Sequence, residues 1–353
     1  MSLPRRALLA LPALAALPAT AADLPTAREA EWIARDFRFH TGQVLPQLKL
    51  RYLTLGNPQG EPVLVLHGTG GSGRNMLSPA FGGQLFGPGQ PLDAARHHII
   101  LPDAIGTGGS AKPSDGLRTG FPRYNYADMV TAQHRLVTEG LGIRHLRLVI
   151  GNSMGGMHTW LWGTTFPAMM DALVPMAAQP TEMASRNWAL RRLMLESIRQ
   201  DPAYAGGAYT SQPGSLRLAN AFFAAATSGG TLAWQAAAPT AAAADRLVDQ
   251  RLAAPAPTDA NDFIWQWDAS RDYSAMPGLG RIRAALLAIN AADDERNPPE
   301  TGLMQQALAQ IPGARLHLIP ASRETTGHGT TGNARFFAAE LAAFLAGAPR
   351  KAA

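Results

Sequence analysis

The chain has 353 residues, 46% of them hydrophobic, and a net charge of +5. That is enough apolar material for one large core with an insertion, or for two domains. Scattered arginines carry the charge, with lysine only at 49, 112 and 351, so the clustered basic footprint of a nucleic-acid-binding surface is missing, and the lack of cysteine excludes disulfides, thiolate catalysis and Cys-ligated zinc.

The N-terminus reads "MSLPRRALLALPALAALPATAAD". Arg5 and Arg6 precede a short apolar run that ends in Ala19-Thr20-Ala21. A positive end, an apolar stretch and an A-x-A site predict a signal peptide over residues 1–21 and a periplasmic or secreted protein. The run is too short to span a bilayer. No later stretch reaches 18 uninterrupted apolar residues, so no stable membrane insertion is expected after cleavage. Both Sec and twin-arginine export stay open.

Residues 36–55 alternate loosely and suit an antiparallel edge pair. Six short apolar runs follow at 62–68, 97–106, 146–153, 172–178, 285–294 and 314–322. Continuous apolar runs bounded by turns predict strands buried on both faces. Helical patterns separate them at 126–140, 154–166, 298–310 and 332–346. This alternation predicts an α/β fold with a doubly wound, mostly parallel, eight-stranded sheet.

Residues 179–282 break the rhythm. Amphipathic helices are predicted at 187–200, 214–226 and 241–254, with the Ala/Pro-rich stretch 236–257 supplying loops. This block reads as a helical lid over the sheet's C-terminal edge, where ligands bind in open α/β folds. The expected organisation is therefore a core in two parts, 22–178 and 283–353, around a lid at 179–282. A homodimer, if one forms, is expected through the lid.

"GNSMGGM" puts Ser153 between the strand "LRLVI" and a helix. Gly151-x-Ser153-x-Gly155 is the pattern of a nucleophile elbow, in which small neighbours let a strand turn at once into a helix. A nucleophilic serine needs a base, and the base needs an orienting acid, here in the chain order Ser, acid, His. Asp293-Asp294 leaves one later strand and His328 sits in a glycine-framed loop after the next. Strand alternation favours Asp294 over Asp293. The oxyanion donors are expected from the backbone N–H groups of Met154 and of Thr69, in the loop "HGTGGSG". That loop lacks the Gly-Lys-Ser/Thr ending of a phosphate-binding loop. No cofactor is called for, and no metal-ligand spacing is present.

With these residues in hand, the chain resembles the α/β-hydrolase superfamily, in its homoserine O-acetyltransferase-like branch. The likeness covers about residues 35–347 and includes "GTGGSAKPSDG" (106–116), "DMVTAQHRLVTEGLGI" (128–143), "IRQDPAYAGGAYTSQPGSLRLAN" (198–220) and "DDERNPPE" (293–300). It implies Ser153 as nucleophile, Asp294 as acid and His328 as base. It also implies an aspartate after the catalytic histidine for the substrate ammonium and a lid arginine for the substrate carboxylate. Gly329 and Asn220 stand at those places, which argues against a zwitterionic substrate. The expected activity is hydrolysis of an ester or related acyl bond of a small molecule. Acyl transfer through the same acyl-enzyme is the alternative.

Overall fold

The computed structural model describes Leu24 and residues 26–255 and 258–350; the expected signal peptide lies outside the described residues. The strands are β1 (Arg28–Arg38), β2 (Val44–Gly56), β3 (Glu61–Leu66), β4 (His97–Pro102), β5 (Leu146–Asn152), β6 (Met170–Met176), β7 (Ala285–Ala291) and β8 (Arg315–Ile319). They form one eight-stranded sheet in the order β1-β2-β4-β3-β5-β6-β7-β8. β2 runs antiparallel to β1 and β4, and the pairs from β4 to β8 are parallel. β1 begins at Arg28, earlier than the alternation near 36 suggests.

The central strands alternate which face of the sheet they serve. Leu64 and Leu66 of β3 and Val149 of β5 join one apolar cluster. Val63 and Val65 of β3 and Leu148 and Ile150 of β5 join the other. Successive side chains of a strand point to opposite faces, so a run apolar at every position needs cover on both.

Helices supply that cover. α1 (Gly82–Leu85) and the last helix pack on the second face, through Leu85, Leu341 and Phe344. α2 (Tyr126–Arg135) and α3 (Met154–Thr165) pack on the first. α2 starts on a capping box, in which Asn125 accepts from the Asp128 N–H and the Asp128 carboxylate answers the Asn125 N–H. The helical path predicted to 140 does continue, but Leu136–Gly140 widens into a π-type turn.

Between β6 and β7 the chain forms the helical block. It contains α4 (Ser185–Arg199), α5 (Ser215–Thr227), α6 (Thr231–Ala237), α7 (Ala241–Ala253) and α8 (Ala260–Asp268). Two corrections follow. The helix predicted at 241–254 is α7, capped by Thr240, so within the stretch expected to supply loops only the residues flanking α7 are left to do so, and of these 236–237 belong to α6. α8 was not among the predicted helices, although Ala260, Phe263, Ile264 and Trp267 fall at i, i+3, i+4 and i+7; its polar face is buried as well.

After β7 come α9 (Leu303–Leu308), β8 and α10 (Ala338–Gly347). The helix expected over 298–310 is broken at Gly302, whose φ of +66° separates a short 3₁₀ turn from α9. The one expected over 332–346 likewise begins as a 3₁₀ turn, Ala334–Phe336, before α10.

Candidate active site

β5 ends at Asn152 and α3 begins at Met154, so Ser153 is the whole connection. Its φ is +56° with ψ −112°, a strained conformation for a residue with a side chain. Its backbone N–H donates to the Met176 carbonyl (2.8 Å) and its carbonyl accepts from the Met157 N–H (2.9 Å), which holds the bend. The flanking glycines are required sterically. A Cβ at Gly151 would strike the Gly155 carbonyl, and one at Gly155 would strike the Leu66 carbonyl of β3.

The structure brings Ser153, His328 and Asp294 together from three separate strand ends. Ser153 Oγ lies 2.8 Å from His328 Nε2. His328 Nδ1 lies 2.9 Å and 3.0 Å from Asp294 Oδ1 and Oδ2. With Nδ1–H donating to the carboxylate, Nε2 is free to accept the serine proton. Asp293 does not reach His328; its Oδ2 accepts from Thr325 Oγ1 at 2.7 Å. All three residues are buried.

Burial pushes the His328 imidazole below its ordinary value, the positive charges of Arg296 and Arg191 add to that, and Asp294 opposes it. Burial would raise the Asp294 carboxyl, but His328, Asn297 and the Arg296 N–H outweigh it and hold the group below the usual carboxylate range. The result is an ionised acid beside a neutral base.

Several supports were not legible in the sequence. Asn297 Nδ2 donates to Asp294 Oδ2 (2.9 Å) and to the Ala177 carbonyl (3.0 Å), tying the acid to the end of β6. Glu295 accepts the N–H of His328 (3.2 Å) and that of Gly230 (2.8 Å), joining the histidine loop to the lid. Thr331 Oγ1 donates to Asn152 Oδ1 at 2.6 Å, just before the elbow.

The loop after β3 faces the serine, Gly68 lying against Ser153. His67 holds it. His67 Nε2 accepts from the Ala104 N–H (3.0 Å), so Nδ1 carries the hydrogen that donates to the Gly68 carbonyl (2.8 Å). Burial keeps that imidazole below its ordinary pKa and hence neutral. Gln266 of α8 accepts the Gly70 N–H at 2.9 Å. The Thr69 and Met154 N–H groups donate to no acceptor among the described residues; Met154 opens α3, where helical N–H groups lack intrahelical partners. His158 belongs to the packing under the elbow helix, paired with Gln133 (3.1 Å) and pushed by burial to a pKa of about 3.

This strand-turn-helix serine, on this strand order, is matched by the profile of the alpha/beta hydrolase family over residues 63–347. The chain belongs to the alpha/beta hydrolase family. Within it, the resemblance is to homoserine O-acetyltransferases. The homoserine O-acetyltransferase of Thermobifida fusca is 33% identical over 209 residues, 54% of this chain and 55% of that one. This hydrolase-family chain thus spans about half the length of the curated relatives it matches. Among solved structures, the homoserine O-acetyltransferase of Bacillus anthracis superposes with a TM-score of 0.79 at 19% identity, covering 93% of this chain and 99% of that one. An acetylester hydrolase of Corynebacterium glutamicum gives 0.76 at 22%, covering 90% and 96%. At such identities the structural matches establish the shared fold.

Proposed function

We propose that this alpha/beta hydrolase is a serine hydrolase that cleaves an ester or related acyl bond of a small molecule. The observation that carries the reading is the line of hydrogen bonds from Ser153 Oγ through His328 to Asp294. Ser153 Oγ attacks the acyl carbonyl while His328 Nε2 takes its proton. Asp294 keeps the imidazole in the tautomer that accepts, and stabilises the imidazolium. The N–H groups of Thr69 and Met154 receive the negative charge on the carbonyl oxygen. His328 returns the proton to the departing alcohol, then activates a water that releases the acid and frees Ser153.

The second reading is acyl transfer to an alcohol or amine, favoured by the homoserine O-acetyltransferase relatives. Hydrolysis stands ahead of it on two residues: Gly329 and Asn220 offer no charge to a zwitterionic acceptor. The signal-like N-terminus supports an exported protein, and export separates the enzyme from cytosolic acyl-CoA.

The test is product partitioning. Mature protein is given 4-nitrophenyl acetate with and without homoserine, and Ser153→Ala is run beside it. Acetate as the product, unaffected by homoserine and lost by several orders of magnitude in Ser153→Ala, supports the hydrolase. Acetyl-homoserine in quantity makes it a transferase, and full activity in Ser153→Ala removes the serine mechanism.

A further inference from the structure

Two arginines under the lid have no anion. Arg191, on α4, is 1% exposed, yet no carboxylate pairs with it among the described residues. Its Nε donates to Asn187 Oδ1 and its Nη1 to Ser270 Oγ, both at 3.0 Å. The buried Tyr126 hydroxyl faces the guanidinium and has no other partner.

Arg296 stands two residues past Asp294. It donates from Nε to Thr227 Oγ1 (3.1 Å) and from Nη2 to Ser228 Oγ (2.9 Å), while its Nη1 is unused. No carboxylate pairs with it either. Its neighbours are committed elsewhere: Asp294 to His328 and Asn297, Glu295 to the N–H groups of Gly230 and His328.

Both cations lie near the Trp267 ring, the Arg191 guanidinium carbon at 4.9 Å and that of Arg296 at 5.9 Å from its centroid. The ring faces offset part of the cost of burial. They do not neutralise two like charges: Arg296 is pushed down to about 10, by burial first and by Arg191 second. A buried cation without a counter-ion is costly, and a planar guanidinium is shaped to take a carboxylate on two oxygens.

The place is next to the chemistry. A cavity of about 630 Å³ is lined by Arg296, by Arg191's partner Asn187, by Asp294 and by Met157, one helical turn past Ser153. Arg191 stands behind Asn187 rather than on the cavity wall; Arg186 adds a second cation to the lining, and the carboxylates there besides Asp294 are Asp293, held by Thr325, Glu295, held by backbone N–H groups, and Glu182 and Glu300 on the exposed rim.

We infer that Arg191 and Arg296, both beside Trp267, form an anion site for a carboxylate on the substrate, so that the preferred ester is an acidic one. Neither is the residue at position 220, where the homoserine O-acetyltransferase resemblance leads one to expect the charge. For the reaction, the inference rests on the serine-hydrolase reading; for binding it does not.

The test compares esters that differ in charge alone. One pair is 4-nitrophenyl hydrogen glutarate and its methyl ester, with the charge on the acyl side. The other is the acetyl ester of 4-hydroxybutanoate and the methyl ester of that compound, with the charge on the alcohol side. The wild type is expected to favour the acid over its capped twin by about tenfold or more in kcat/KM in at least one pair, which also says which side is held. In Arg191→Met and Arg296→Met that ratio falls toward one, and Arg296→Lys keeps part of it. A ratio is read on each variant separately, so lost folded protein cancels, and the wild-type comparison needs no variant. No preference in either wild-type pair overturns the site, as does a preference that survives both substitutions. If no ester is turned over, the hydrolase reading fails alone. Glutarate titrated into the wild type by calorimetry then decides: binding weakened in both methionine variants supports the site, and no binding overturns it.

Discussion

Asn297 braces Asp294, with one amide hydrogen on Oδ2 (2.9 Å) and the other on the Ala177 carbonyl (3.0 Å). Two residues separate them in sequence, and the loop after β7 folds back so that the amide braces the carboxylate. Asn297→Ala removes the side-chain donor on Oδ2 and leaves the carboxylate held on Oδ1 by the backbone N–H groups of residues 296 and 297. The expected loss is about tenfold to hundredfold in kcat on 4-nitrophenyl acetate, with KM little changed, because misplacement of a catalytic group by about 1 Å costs on that order. A rise in KM with kcat intact would make Asn297 a binding residue instead.

The pH profile follows from the signs at His328. The base must be neutral to accept the serine proton. Burial, with Arg296 and Arg191, keeps its pKa below the ordinary 6.5. The acid limb of kcat/KM is therefore expected to have its midpoint below 6.5. Arg296→Met removes one of the opposing charges, so the limb should move to higher pH. A limb that stays in place would mean that the guanidinium does not act on the imidazole.

Gly155 is a steric requirement of the elbow. Alanine there sets a methyl group against the Leu66 carbonyl of β3, a backbone atom that cannot rotate away. Gly155→Ala is expected to lose about 1–3 kcal/mol of stability, or not to fold, as in other overpacked cores. Urea unfolding measures it, and a stability equal to the wild type would show that strand and helix can separate there.

Asp262 gives the lid a pH dependence. It accepts the N–H and Oγ–H of Ser114 at 2.8 Å and 2.6 Å, fastening α8 to the loop at 113–115. Burial, opposed by those hydrogen bonds, lifts its pKa from 3.8 to about 6. A raised folded-state pKa means that the folded protein holds a proton which the unfolded chain has already lost. The contribution is complete below the unfolded value and disappears as the pH rises through about 6. Between about pH 4.5 and about pH 7.5 the wild type should lose about 2 kcal/mol relative to Asp262→Asn, read from urea unfolding at both pH values. Parallel curves would place Asp262 in contact with water.

How far the sequence reaches depends on the kind of interaction. The strands were readable because a chain buried on both faces is apolar at every position, as in "LRLVI". The elbow was readable because a strand that becomes a helix within one residue leaves room for glycine alone at 151 and 155. Strand alternation singled out Asp294, and the structure does bring that carboxylate, and not Asp293, to His328. Each of those signals is local.

The rest is set by partners far apart in the chain. Nothing near His67 in sequence says that it will hold the loop beside Ser153 through Ala104, 37 residues later. The polar face of α8 is buried because distant groups satisfy it: Asn261 by Tyr204 and Gly207, Asp262 by Ser114, Gln266 by Gly70. Arg191 reads as one more charge on an amphipathic lid helix. Only the packing of α4 against α8 buries it beside Trp267, with Arg296 near the same ring. Local sequence thus determined the sheet, the bend and the order of serine, acid and histidine, because steric and periodic constraints act over a few residues. The tertiary structure decided the orientation of the acid, the support of the loop at Gly68 and the unpaired charge under the lid, because hydrogen bonds and desolvation depend on what folding brings close.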